Sequence, residues 1–456
     1  MFACRGELTL DLIKKYIELF KAQELPRLKK LERYYKAKND TIINRSFEDE
    51  SKPNNKLAHA YAAYITDTLS AYMVGKPVAY SVADDTLNTE IDNVMNYNDS
   101  ADNDLSIAES QSIYGRAYEV MYVDEDGYTR FKGLNTLESI PIYDGTVENN
   151  LKYFIRYCEE QDPVTLVTTI TTWVYDDVGC SEYRGSSVGD LALIDTVENV
   201  FGYIQINEYI NNNFLEGDFE KVISLIDAYD LMCSDTLNEL DYFSDAYLLF
   251  ANCEIDTDRV SVQDMKNNRI IQATSGDSGQ AAVVQWLTKN ANDVQCENTK
   301  KRTVDEIHKL SKVPNLDPSA FVSHTTASHV FYSLLSTEDL VSKKEKKFKK
   351  GLQQRLEKIV HLLNVKGIDT NYDYRDIEIT FNRNIPQGLE SIADPISKLR
   401  DLLCDESLIS LIPGITNPLE EVKKRDAQRE KERTLREKER KNLDTYSLLG
   451  GDGIED

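Results

Sequence analysis

Residues 329–365 carry the sequence pattern that most restricts the fold. Apolar residues recur three or four positions apart along the segment, and charged residues fill most of the remaining positions. The apolar stripe consists of Val341, Phe348, Leu352, Leu356, Ile359 and Leu363. The pattern predicts one long helix with a single buried face, so other parts of the chain must pack along it.

Helical periodicity also marks several other segments. A helix is expected from Leu8, with Pro26 opening a second one that ends near Lys38, and the stripe from Leu57 to Tyr72 predicts another, stopped by Gly75 and Pro77. Further helices are predicted at 101–114, 218–243 with Asp218 as its N-cap, 304–312 and 389–412. The charged segment 420–441 can be helical through pairs of opposite charge three or four residues apart.

The segments between these helices are rich in aromatic and β-branched residues. Strands are predicted at Tyr118–Val123, Thr168–Tyr175 and Tyr203–Ile206, and strict alternation predicts one more at 377–381. A β-rich insert is expected at 246–291, with short runs at 247–250, 260–262 and 282–287. The fold class predicted is therefore α+β, predominantly α-helical.

The chain is strongly acidic. It has 78 Asp and Glu against 53 Lys and Arg, and the formal net charge is -25. Because such a surface repels phosphates, tight binding of nucleic acid by the chain as a whole is disfavoured, although nucleic acid can still pass close by. The sequence contains no apolar run long enough for a membrane span and no signal-peptide pattern, so no membrane association is expected.

Metal and cofactor sites are not predicted. The seven cysteines include no C-x-x-C pair, which argues against a structural zinc site or a disulfide framework. His308, His324, His329 and His361 do not have the H-E-x-x-H spacing that places two ligands on one helical face. Carboxylates are too numerous for a catalytic pair to be singled out, and we expect no enzymatic activity and no cofactor.

Two short strings resemble serine-hydrolase motifs. Gly185–Gly189 matches G-x-S-x-G but lacks the preceding apolar strand and the following helix that a nucleophile elbow requires. Gly276–Gly279 (GDSG) resembles the serine segment of trypsin-like proteases, yet His59 is the sole histidine before Ser278 and lacks the flanking residues of that family. Turns are the expected structure at both strings.

Two predicted helices carry charge of opposite sign. The helix at 218–243 has seven acidic residues against Lys221 alone, and its apolar stripe is expected on the other face. Residues 343–358 carry eight basic residues against two acidic ones. The basic run is interpreted either as a solvated helix flank or as a contact for phosphates or for acidic neighbours in an assembly.

The order of five segments resembles that of tailed-phage portal proteins of the SPP1-like (Gp6) family. The similarity starts with a tyrosine pair in Leu31–Asn44 and a Pro-Asn-Asn followed by a helix ending in Gly-Lys-Pro in Pro53–Val82. It continues through Ser112–Val123, Gly217–Leu249 and the block from Val313 to Pro386. It covers about residues 10 to 425. The loop before the lysine-rich helix usually contains glycine in this family, whereas Ser323 and Ala327 stand here, which implies a stiffer loop.

The resemblance implies a portal fold with wing, stem, clip and crown regions, assembled as a ring. In the order of the chain, the expected regions are a wing at 1–216, a stem helix at 217–245, a clip at 246–296, a second stem helix at 297–314, a tunnel loop at 315–328, a tunnel-side helix and wing strand at 329–388, crown helices and a charged tail at 389–445, and a flexible C-terminus at 446–456.

The same resemblance implies partners and a site. The expected assembly is a homo-oligomeric ring, usually of twelve subunits, at one capsid vertex of the virion, formed in the host cytoplasm, with double-stranded DNA passing through its channel. Terminase, the major capsid and scaffolding proteins and a head-completion adaptor are the expected partners. The residues expected to face the channel are Asp227, Asp230, Asp235, Ser323, His324, Thr325, Thr326, Lys343, Lys346, Lys347 and Lys350.

An acidic stem wall would keep DNA centred and mobile, so reversing the charges of Asp227, Asp230 and Asp235 is expected to slow its passage. Two alternatives remain open at this point. One is a serine hydrolase, which depends on the two serine strings. The other is a structural scaffold or adaptor other than a portal. A ring of many copies would favour the portal, whereas a monomer or dimer would favour these alternatives.

Overall fold

A computed structural model gives the arrangement of two compact units. Unit 1 comprises Met1–Leu31, Thr66–Asp218 and Val330–Asp456, and unit 2 comprises Glu32–Ile65 and Phe219–His329. The structure describes residues 2–49, 52–243, 248–251, 253–254, 274–275, 283–286, 293–315, 327–367, 371–383, 398, 400, 403–410, 412, 415 and 418–449. Residues 32–65, which lie within the segment expected to be the wing, belong to unit 2 together with α7 and the residues up to His329.

The described helices span much of the chain. In chain order they are α1 Leu10–Gln23, α2 Leu25–Tyr35, α3 Asp40–Ile43, α4 Tyr61–Val74, α5 Asp85–Tyr97, α6 Ser100–Tyr114, α7 Ile223–Phe243, α8 Asp293–Ser311, α9 Ala327–Lys366, α10 Asp405–Ser410 and α11 Pro418–Leu449. No helix within these residues is both long and apolar enough to cross a membrane.

The described strands lie mainly between α6 and α7. They are β1 Phe2–Ala3, β2 Ala79–Ser81, β3 Arg116–Val123, β4 Thr129–Leu134, β5 Ser139–Tyr143, β6 Leu151–Gln161, β7 Thr168–Tyr175, β8 Gly179–Gly185, β9 Ala192–Glu198, β10 Ile206–Ile210, β11 Leu248–Ala251, β12 Cys253–Glu254, β13 Thr274–Ser275, β14 Val283–Trp286 and β15 Glu378–Thr380. The structure therefore confirms a mixed α+β chain with more helix than strand.

Unit 1 contains two main sheets. The six-stranded sheet has the order β1-β5-β6-β7-β8-β9, and its neighbours are antiparallel except for the parallel pair β1 and β5. The three-stranded sheet has the order β10-β3-β4. Tyr118, Phe154, Tyr175 and Ile206 form a buried cluster that joins the two sheets. The strand predicted at 377–381 is β15, which pairs with β2 and places Ile379 opposite Tyr80.

Several predicted boundaries differ from the observed ones. Helix α8 starts at Asp293, inside the expected clip, and α11 runs to Leu449, into the segment expected to be flexible. Helix α5 was not predicted at all, although Asp84 caps it and Leu87, Ile91 and Met95 give it a buried face.

In the insert, β11 pairs with β14 and β12 with β13, and the run expected at 260–262 lies outside the described residues. Of the helices expected at 389–412, the described part contains α10.

The predicted N-cap of α7 is also wrong. Asp218 accepts hydrogen bonds from Ser112 and from Asn211 and forms an ion pair with Lys344, all within unit 1. The α-helix begins at Ile223, after a 3-10 turn at Glu220–Val222. The carboxylate is used to neutralise a buried lysine, so it is not available to the first turn of the helix.

A buried ionic cluster holds α9 against the three-stranded sheet. The fully buried Arg355 guanidinium donates to Glu119 on β3 at 2.7 and 3.0 Å and to Asp104 on α6 at 2.6 Å. Glu119 also accepts from Asn103, Asn207 and Tyr209. A buried charge is tolerated when it has opposite charges and hydrogen-bond partners, which the Nε and Nη2 groups of Arg355 have here.

We predict that Arg355→Ala destabilises unit 1 by about 3–5 kcal/mol, because it leaves the Glu119 carboxylate buried without its cation. The stacking of Arg355 on the Phe131 ring, at 4.3 Å from the ring centroid, would be lost as well. Chemical denaturation monitored by circular dichroism measures the effect. The exposed Lys346→Ala on the same helix should change stability by less than about 0.5 kcal/mol. An equal effect of the two substitutions would contradict the prediction.

A second ion pair connects α9 with the chain after β15. Arg383 donates to both oxygens of Glu338 and to Glu345, and Tyr72 also donates to Glu338. The hydrogen bonds from Arg383, which outweigh the effect of burial, lower the pKa of Glu338 to about 2. Because the folded pKa lies below the usual value near 4.5, this carboxylate stabilises the fold above about pH 4.5, and the contribution is lost as the pH falls towards 2.

Glu338→Gln should therefore lower the melting temperature at pH 6 and have a progressively smaller effect as the pH falls towards 3. Differential scanning calorimetry of both proteins across this range measures the difference. A difference that stays constant with pH would show that the ionised form of Glu338 does not contribute.

Candidate nucleic-acid interface

Helix α7 in unit 2 carries three of the predicted channel residues. Asp230 is fully buried, and it accepts hydrogen bonds from the Asn39 amide and the His59 backbone N–H, the latter at 3.0 Å. The His59 ring nitrogen Nδ1 lies 2.7 Å from the same carboxylate. Burial raises the pKa of Asp230, and the bonds from Asn39 and His59 oppose this shift. The prediction that Asp230 lies on an exposed acidic face is therefore wrong.

The reason is an extended segment that runs along α7. Three backbone N–H groups two residues apart donate to side chains four residues apart on the helix. Asn55 donates to Asn238 at 2.7 Å, Leu57 to Ser234 at 2.9 Å, and His59 to Asp230 at 3.0 Å. Two extended residues span about 6.6 Å and four helical residues about 6 Å, so the two repeats match over this length.

This match explains two features of the sequence. The helix expected from Leu57 begins at Tyr61, because the preceding residues use their N–H groups to pair with α7. The Pro-Asn-Asn segment anchors the start of the pairing. Asn54 exchanges hydrogen bonds with Arg45, and Asn55 also donates to Asp241. We call residues 53–60 the strap.

The other two acids of α7 also have partners in unit 2. Asp227 accepts from the Tyr34 hydroxyl at 2.8 Å, and burial together with this bond raises the pKa of Tyr34 to about 12. Asp235 pairs with Arg45 at 2.6 Å, yet its side chain is 62% exposed. Of the three predicted wall residues, Asp235 is the one whose carboxylate is largely open to solvent.

The predicted basic run on α9 is divided between two faces. Lys344, Arg355 and Lys358 are buried, with Lys344 paired to Asp218 and Lys358 donating to Asn207 at 2.5 Å. Burial lowers the pKa of Lys358 to about 8. Lys343, Lys346 and Lys350 are exposed and Lys347 is half-buried. These four lysines, which we call the lysine face, lie on the side of the helix opposite its apolar stripe, about a quarter turn from the buried cations.

A glycine permits the close packing behind the lysine face. The ring of Tyr209 lies against Gly351, where a Cβ would come within 2.4 Å of the Tyr209 Cδ1 atom. The Tyr209 hydroxyl reaches Glu119 at 3.0 Å. Any larger residue at position 351 would push α9 away from β10, so the glycine helps to keep Arg355 at its partners.

Four predicted loop residues cannot be placed. Ser323, His324, Thr325 and Thr326 lie outside the described residues, as does the Gly276–Gly279 string. In the other serine string, Ser186 and Ser187 both donate to Asp190, at 3.1 and 2.7 Å. These bonds are those of a local turn after β8, and a serine nucleophile would instead need a histidine base as its partner.

Comparison with known proteins identifies the class. The profile of the family described as "Phage portal protein, SPP1 Gp6-like" matches residues 14–435, so the chain belongs to this family. The portal protein of Bacillus phage SPP1 is 22% identical over 416 residues, which cover 86% of this chain and 79% of that protein. The portal protein of Clostridium phage phiCD119 is 23% identical over 393 residues, covering 80% of this chain and 84% of the relative.

Membership confirms the resemblance found in the sequence. The chain is a phage portal family protein, a structural component of the virion that serves genome packaging. The family and both relatives are named for this structural role and not for an enzymatic one.

The strap gives a direct prediction. Ser234→Ala removes the acceptor of the Leu57 N–H and should cost about 1 kcal/mol, with faster hydrogen exchange at the Leu57 amide. Thr236→Ala is the matched control, because the Thr236 hydroxyl bonds the Met232 carbonyl of its own helix. Amide exchange followed by mass spectrometry of the strap peptide distinguishes them. Equal exchange in both variants would contradict the pairing.

Proposed function

We propose that this chain forms the ring-shaped portal at one capsid vertex, through which double-stranded DNA is packaged and later ejected. The observation that carries the proposal is the family match over residues 14–435, which includes most of both units. A closed ring satisfies the two different faces of each subunit without leaving an open filament. The ring is proposed to hold twelve subunits.

The proposal assigns regions by their order in the chain. Helices α7 and α8, which pack together in unit 2, are proposed as the stem, with the β-rich insert between them as the clip. The clip is the proposed docking site for terminase and later for the head-completion adaptor. Unit 1 supplies the wing and crown, which would contact the major capsid and scaffolding proteins during assembly in the host cytoplasm.

The proposed DNA-facing groups change from those expected from the sequence. The lysine face of Lys343, Lys346, Lys347 and Lys350 remains a candidate, because its side chains are solvent-accessible while the neighbouring cations are neutralised inside unit 1. Asp235 remains as an acidic candidate and Asp227 as a weaker one, since it is bonded to Tyr34. Ser323, His324, Thr325 and Thr326 remain proposed as the DNA-facing residues of the tunnel loop at 315–328.

Two experiments test the ring and the lysine face separately. Light scattering and electron microscopy of the purified protein should show a ring of about a dozen copies with a central hole. A monomer or dimer would reject the portal proposal and favour an adaptor.

Replacing Lys343, Lys346 and Lys350 by glutamine should leave ring assembly intact and change the DNA packaged per capsid by roughly twofold or more, because the phosphates lose three cationic neighbours. A control variant with Lys15, Lys29 and Lys132 replaced removes the same charge from other exposed positions of unit 1. Quantitative packaging of both variants measures the effect. Equal packaging would reject the lysine face as a DNA contact.

A further inference from the structure

Helix α11 places arginine and lysine on different faces. Arg425, Arg429, Arg433 and Arg436 are spaced by four, four and three residues. At about 100° per residue, these four positions fall within an arc of about 80° and extend about 17 Å along the helix. Lys424 and Lys431 lie on the opposite side of the helix. We call the four arginines the arginine stripe.

The stripe is open to solvent. Arg429, Arg433 and Arg436 are exposed, and from Asp426 to Arg436 every residue of the helix is exposed. Ala427 and Leu435 are the apolar residues of this stretch, and Leu435 is itself 60% exposed. A surface of this composition gains little from hydrophobic contact, so its partner must be recognised through charge.

Charges near the start of the helix have ion-pair partners. Lys424 pairs with Glu420 of its own helix at 2.6 Å, and Lys423 pairs with Asp85 at 2.8 Å. Arg425 pairs with Asp405 and Asp426. Among the side chains that the structure describes, no ion pair is seen at Arg429 or Arg436. Acids flank the stripe on both sides, with Glu421 and Glu432 along one edge and Asp426 and Glu430 along the other.

We propose that the arginine stripe binds the phosphate backbone of duplex DNA. Guanidinium groups bind phosphate through paired hydrogen bonds, and they are more weakly hydrated than ammonium groups. Duplex DNA carries one charge per about 1.7 Å of its axis when both strands are counted, so a 17 Å length of duplex holds about ten phosphates, of which the stripe faces those on one side. The flanking acids repel a polyanion at the edges and thus restrict it to the stripe.

This inference deepens the proposed function and depends on it. The proposed channel lets DNA slide through, and the arginine stripe would add a site on the same protein that holds DNA. The chain as a whole has a formal net charge of -25, whereas residues 420–441 carry ten basic and seven acidic residues. A locally cationic stripe on an acidic protein would attract DNA to this helix, in addition to the proposed lysine face of α9. The contact would be independent of base sequence, since it involves phosphates alone.

The test compares two full-length variants of equal charge. One variant replaces Arg429, Arg433 and Arg436 by glutamine. The other replaces Lys423, Lys424 and Lys431 by glutamine. Fluorescence anisotropy with a 20-base-pair duplex between 50 and 200 mM salt measures binding. The arginine variant should bind about tenfold more weakly at low salt, and its slope of log affinity against log salt should be less steep by about 2.7. The lysine variant should match the unmodified protein.

Three other results would overturn the inference. Equal weakening of DNA binding in both variants would show that the affinity depends on net charge and not on the arginine stripe. No binding by the unmodified protein would remove the stripe as a DNA site, while the proposed function would stand if the same preparation forms rings and packages DNA. Loss of ring assembly in the arginine variant, with unchanged DNA binding, would assign the stripe to acidic groups of a second copy.

Discussion

The buried Arg355 guanidinium is the constraint on which the described part of unit 1 depends. It is neutralised by Glu119 on β3 and Asp104 on α6, which precede it by 236 and 251 residues in the sequence. A buried charge without its partners strongly raises the free energy of the folded state. Helix α9 must therefore be rotated about its axis so that Arg355 faces its partners. That rotation turns Lys344 and Lys358 inward to partners of their own and leaves Lys343, Lys346 and Lys350 in solvent. The lysine face is thus a consequence of how one arginine is satisfied.

In unit 2, polar side chains of the acid-rich helix α7 also hold a neighbouring segment in place. The polar side chains Asp230, Ser234 and Asn238 of α7 accept hydrogen bonds from the strap, and among the described residues no strand pairs with it. Since an unpaired backbone N–H is costly when water is excluded, these polar side chains contribute to the stability of the fold. A high local density of carboxylates therefore does not by itself identify a surface that faces DNA.

The sequence predicted helices and strands correctly where the hydrophobic pattern keeps one period over many residues. The helix predicted at 329–365 is found at Ala327–Lys366, and the strand predicted at Thr168–Tyr175 has the same bounds in the structure. Prediction was poorer where long-range contacts outweigh local pattern. Leu57 looks like part of the α4 stripe, but its N–H bonds Ser234. Helix α5 was missed although its cap and its spacing of Leu87, Ile91 and Met95 were visible, so attention to Asp84 would have found it.

The amino-acid sequence alone determined the α+β class, the order of the segments and the membership of a portal family, because these depend on periodicity and on residue order. It also showed which helices are acidic and which are basic. Only the tertiary structure decided which of those charges reach solvent. An ionised side chain on a helix has the same sequence signature whether it is buried with a partner or exposed, and the partners of Arg355, Lys344 and Asp230 lie on distant parts of the chain.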